Sequence, residues 1–72
     1  MSPAADREQH ATDVTNRTLA GLCEALTAEA RCRAEEAAWL YTEGRWSEGV
    51  ALEGEARGLL TAARLVLERL RA

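Results

Sequence analysis

The side chains able to do chemistry in this 72-residue chain are few: two cysteines, one histidine, twelve acids and nine arginines. Cys23 and Cys32 could serve as nucleophiles or metal ligands if a neighbouring base or cation lowered their pKa. His10 is the only imidazole and stands remote from both thiols in the chain. On one helix the two cysteines are separated by about 13.5 Å of rise and half a turn, too far for a disulfide. No C-x-x-C pair is present, so a zinc ion would lack ligands. Glu29, Glu35, Glu36, Glu53 and Glu55 have no accompanying Glu-x-x-His pair, which a di-metal site in a helix bundle requires. Gly49, Gly54 and Gly58 fall in a helical pattern and form no phosphate-cradling loop. No catalytic, cofactor-binding or metal-binding residue is therefore assigned, no cofactor is expected, and the chain reads as a non-enzyme. Its two unbridged thiols point to a reducing, cytoplasmic setting.

Charge excludes further classes. All nine basic residues are Arg, and the net charge is −3. Residues 1–43 carry eight acids and four Arg, whereas residues 44–72 carry four acids and five Arg. Arg64, Arg69 and Arg71 gather near the end of the last helix, where cations face the negative end of the macrodipole. A nucleic-acid partner using Arg57, Arg64, Arg69 and Arg71 is thus a subordinate reading. No apolar run approaches the roughly 20 residues a membrane span needs, and the N-terminus has no apolar signal region, so no membrane partner is expected.

The elements that must position these residues are helical. Hydrophobic residues make up 47% of the chain, with 15 Ala, 10 Leu, three Val and neither Phe nor Ile. Ala, Leu, Glu and Arg favour helices, while strands need β-branched and aromatic residues. Ser2 followed by Pro3 matches an N-cap with proline at the first helical position. Residues 11–16 (A-T-D-V-T-N) are weak helix formers, so residues 1–14 are expected as an N-terminal arm or a frayed helix start. The well-defined part is a helical hairpin over residues 15–72. Its first helix runs from about 15 to 42, a turn occupies 43–47, and a second helix runs from about 48 to 70. Gly44 is the expected left-handed residue ending the first helix, and Ser47 the N-cap of the second. So short a connection makes the helices antiparallel neighbours.

Around that turn, Ala37, Gly44, Trp46, Glu48 and Gly49 occupy places that resemble the middle of a tetratricopeptide-type repeat. The resemblance covers one unit, about 30 residues, whereas such repeats bury their faces by stacking on neighbours. Gly49 stands where Ala is usual, and no Pro closes the second helix. The likeness is read as shared helical-hairpin geometry, not as membership.

Periodicity assigns the faces. Leu52, Ala56, Leu59, Ala63, Val66 and Leu70 form a heptad stripe, with Leu60 and Leu67 widening it to one side. On the first helix Leu19, Leu22, Leu26, Leu40 and Tyr41 lie along one direction, with Cys23, Ala30, Ala34 and Ala37. The expected hairpin core is Leu19, Leu22, Leu26, Leu40, Tyr41, Leu52, Leu59, Val66 and Leu70. Arg33 interrupts this face and is expected to run along the seam or pair with Glu55. Roughly opposite on the first helix lie Gly21, Ala25, Ala28, Cys32 and Trp39, a second and unpartnered face. Those five residues, with the off-face Leu65, form the expected partner interface, Trp39 serving as an anchor. Trp46 is expected to pack on Leu40, Tyr41 or Val50 at the turn.

The sequence thus reads as an all-α antiparallel hairpin, completed to a four-helix bundle by oligomerisation. Its expected role is protein–protein interaction, as an adaptor, assembly subunit or small inhibitor that self-associates, most simply as a homodimer. The alternative is an obligate small subunit of a hetero-complex, such as a phage or bacterial assembly.

Overall fold

The computed structural model describes residues 3–71, so the expected N-cap Ser2 lies outside the described residues. Two helices, α1 (Pro3–Thr42) and α2 (Trp46–Arg71), form an antiparallel hairpin. α1 runs unbroken through the weak helix-forming stretch. There the hydroxyls of Thr12, Thr15 and Thr18 donate to the carbonyls of Glu8, Ala11 and Val14 at 3.0, 2.9 and 3.0 Å. Those bonds occupy side chains that would otherwise compete with the backbone. Residues 3–18 are exposed throughout. α1 has 40 residues and α2 has 26, so α1 projects about 21 Å beyond its partner helix.

The turn is a Schellman motif centred on Gly44. Gly44 takes φ +74°, a left-handed conformation that costs other residues a Cβ clash. Its N–H donates to the Tyr41 carbonyl at 3.1 Å, and the Arg45 N–H donates to the Leu40 carbonyl at 2.9 Å. Two of the carbonyls orphaned by the helix end are thereby satisfied. The second helix starts earlier than the sequence predicts. The Gly49 N–H donates to the Arg45 carbonyl at 3.0 Å, so Arg45 is the half-in residue and Ser47 lies inside the first turn. The turn proper is thus residues 43–45, and an ion pair between Arg45 and Glu48 supports the new helix start.

Small residues dominate the seam. Ala30, Ala37 and Leu40 of α1 and Gly49, Ala56 and Ala63 of α2 are the buried positions. Apart from Leu40 they repeat every seven residues on each helix, the period that keeps one stripe facing a neighbouring helix. Leu19, Leu26, Tyr41, Leu52, Leu59, Val66 and Leu70 are half-buried beside this strip. Leu22, expected in the core, is 47% exposed. It sits eight residues before Ala30, about 80° round the helix, and so lands on the flank of the seam.

Gly49 has a specific reason to be glycine. The Tyr41 ring lies over it so closely that an added Cβ would stand 2.8 Å from Tyr41 Cε1. The ring is fixed from two sides: the Tyr41 hydroxyl donates to Glu53 Oε2 at 2.5 Å, and the Trp46 ring packs against it with centroids 5.1 Å apart. Further along, Arg33 joins the helices, meeting Glu29 at 2.7 Å on its own helix and Glu55 at 3.3 Å across the seam.

The outcome is a rod measuring 63 × 16 × 11 Å with a radius of gyration of 17.9 Å. A compact chain of this length would have about 11 Å.

Candidate functional site

Several large apolar side chains lie on the outside of the hairpin, while its centre holds four alanines and Leu40. Leu22, Trp39, Trp46, Val50, Leu60, Leu65 and Leu67 are all exposed large hydrophobics. The surface totals 5521 Å², whereas a compact monomer of this mass exposes about 4,400 Å². The surplus, about 1,100 Å², reflects helix faces left open to solvent.

The residues expected at a partner interface do not share one face. Gly21, Ala25, Cys32 and Trp39 are exposed on the side of α1 that points away from α2, and Ala28, also exposed, lies at the edge of that side, where it shares a groove with Leu67 and Leu70. Trp39, 53% exposed, follows the buried Ala37 by two positions and so points about 200° from it. Leu65, 61% exposed, stands in the same relation to the buried Ala63 of α2. Each therefore points outward from the seam, in opposite directions, and no flat partner surface touches both. At the turn Trp39 receives the Arg45 guanidinium over its ring, 5.9 Å from the centroid, a geometry that binds cations to aromatic faces.

A surface between the helices was not singled out by the sequence. On one side of the seam runs a groove of about 370 Å³, walled by Ala20, Cys23, Thr27 and Ala28 of α1 and by Leu67 and Leu70 of α2. Glu24 and Arg31 are its charged lining residues. A second hollow of about 250 Å³ adjoins it, sharing Thr27 and Arg31 and adding Ala34 and Leu60. The signal for this trough was present as the pair Leu60 and Leu67, which widen the α2 stripe to one side only.

Chemistry at single residues is limited. The Cys23 thiol donates to the Ala63 carbonyl at 3.6 Å, and Cys32 is exposed; both are free. Among the described residues no cluster of three or more His, Cys, Asp or Glu could hold a metal ion. The hydrogen bond from Tyr41 holds the Glu53 carboxyl below the ordinary glutamate value, helped by Arg57, while the same bond and burial push the Tyr41 phenol above 10.0. Arg57 bonds Glu53 at 2.8 Å. The arginines of α2 do not form one patch: Arg57, Arg64 and Arg71 share an edge at seven-residue spacing, and Arg69 lies about 140° from Arg64. No described helix is long and apolar enough to cross a membrane. Compared with protein families, with curated proteins and with solved structures, the chain matches none.

Proposed function

We propose that this chain is a non-enzymatic helical interaction module that self-associates, most simply as a two-fold homodimer closing into a four-helix bundle. One observation carries the reading: among the described residues four of the five buried hydrophobic residues are alanines, while Leu22, Trp39, Trp46, Val50, Leu60, Leu65 and Leu67 are exposed. A buried methyl contributes only about 0.8 kcal/mol, so the alanine seam sets the distance between helices without supplying much stability. A second layer of helices would cover the leucines and supply the missing burial. The role that follows is binding, as an adaptor, an assembly subunit or a small inhibitor acting in the cytoplasm. The exposed side of α1 carrying Gly21, Ala25, Ala28, Cys32 and Trp39 is a candidate for contact with another chain.

Thermal unfolding followed by circular dichroism across a hundredfold range of protein concentration tests this. Association predicts a melting temperature that climbs with concentration by mass action. A cooperative melt independent of concentration would show a self-sufficient monomer. The outward and opposite placement of Trp39 and Leu65 favours a second reading, a small subunit held between surfaces of a hetero-complex. In that case the chain expressed alone should be poorly folded at every concentration.

A further inference from the structure

Resting on that self-association, we infer that the second copy seats in the trough on the Leu60–Leu67 side, with α2 of each hairpin lying over α1 of the other. Leu60 and Leu67 are 48% and 39% exposed and seven residues apart. Each follows a buried alanine, Ala56 or Ala63, by four positions, so both stand just beside the seam on the same flank. Facing them across the trough is a wall of small side chains, Ala20, Thr27 and Ala34, also at seven-residue spacing. A ridge and a hollow on one face are what a two-fold contact needs, because each copy offers both halves.

The register follows from contacts within the chain. Leu67 shares the larger hollow with Ala20, Leu60 shares the smaller with Thr27, and Cys23 meets Ala63. A two-fold axis parallel to the helices preserves these levels. It carries Leu67 of one copy onto Ala20 of the other, Leu60 onto Thr27, and Arg64 to the level of Glu24. Among the described residues neither Arg64 nor Glu24 takes part in an ion pair, so the contact creates two complementary pairs. Arg31 arrives at the level of Arg57, whose charge Glu53 already balances. Two copies together carry a surplus of about 2,200 Å² over compact chains, the area that stable dimers bury. Pairing through the outer side of α1 would instead leave Leu60 and Leu67 in water.

The two cysteines report on the competing faces: Cys23 lines the trough, and Cys32 lies on the outer side of α1. The test is alkylation of the unmodified chain at about 1 µM and about 200 µM, concentrations spanning a micromolar association, with each thiol quantified by mass spectrometry beside sedimentation of the same samples. The trough contact predicts that Cys23 slows by about tenfold where nine in ten chains are paired, while Cys32 keeps its rate. Protection of Cys32, with or without Cys23, in a sedimenting dimer overturns the trough and leaves self-association standing. Unchanged rates in chains that sediment as monomers overturn the self-association itself. Arg64→Glu should weaken the dimer and Arg64→Glu combined with Glu24→Arg should restore it; an equal loss in both variants counts against the register.

Discussion

Replacing Gly49 by alanine should destabilise the hairpin, although the same change at Gly54 and Gly58 of the same helix should stabilise it. Alanine is better than glycine inside a helix by up to about 1 kcal/mol, through lower backbone entropy in the unfolded chain and less exposed backbone in the folded one. At Gly54 and Gly58 an added Cβ meets nothing within 4 Å, so nothing opposes that gain. At Gly49 it would stand 2.8, 2.9 and 3.2 Å from three atoms of the Tyr41 ring. The ring cannot simply swing aside, because its hydroxyl is bonded to Glu53 and its face abuts Trp46. Overpacking of this kind costs about 1–3 kcal/mol. Moving the ring would also break the hydroxyl bond to Glu53. Set against the alanine gain, the net is a loss of about 1–2 kcal/mol, or a melting temperature lower by roughly 4–15 °C in a domain of this size. The assay is thermal and urea unfolding of the three variants at one fixed protein concentration. In a Tyr41→Ala background the sign at Gly49 should reverse, since the obstacle is gone. Stabilisation of the Gly49 variant equal to that at Gly54, with Tyr41 intact, would mean that the ring does not obstruct a Cβ at this position.

The Tyr41–Glu53 bond gives stability a two-sided pH dependence. Glu53 is held below its ordinary value, so its contribution is present above the unfolded glutamate pKa and fades as pH falls through the folded one. Tyr41 is raised above 10.0, so its contribution is present below that value and is lost as pH rises through the folded pKa. Melting temperature against pH should therefore fall at both extremes, and Tyr41→Phe should flatten both limbs; unchanged limbs in that variant would show the bond contributes nothing. Leu59→Ala should destabilise by about 1–3 kcal/mol, less than for a fully buried leucine because Leu59 is only half-buried. Ala56→Leu should destabilise despite added apolar volume, because Ala56 is buried where the helices meet; urea unfolding checks both, and a stabilised Ala56 variant would contradict the alanine seam. Ala28→Arg should dissociate the assembly in sedimentation while leaving the helical circular dichroism intact, since Ala28 lines the trough and also borders the outer side of α1.

The hairpin was legible because its strongest signals are local. Composition allows only helices, and Gly44 suits a position where a left-handed backbone ends one helix and starts the next. The heptad of α2 marks its inner side, and its alanines at 56 and 63 are buried. What escaped was set by pairs distant in sequence. Leucines attract attention as core residues, yet in the hairpin the alanines hold the centre and the leucines line its sides. Leu22 shows this most plainly, exposed at the flank where an 80° offset mattered more than its hydrophobicity. Gly49 reads as a helix weakener in isolation; only the Tyr41 ring arriving from the other helix gives it a purpose. Ser47 offers good N-cap chemistry, but the Schellman turn starts the second helix two residues too early for it to be used, with Arg45 in the capping place. As for the site, the outer side of α1 is visible from periodicity on one helix. The trough needs both helices in register, which no single-helix pattern contains.

In the proposed dimer each chain carries half of a hydrophobic core and a second copy supplies the rest. Sedimentation equilibrium of the purified chain at micromolar concentration tests it most directly. A dimer gives a mass twice the 7.9 kDa of one chain, dissociating on dilution together with loss of helical signal. A single species of 7.9 kDa that remains helical and melts cooperatively at every dilution would contradict it.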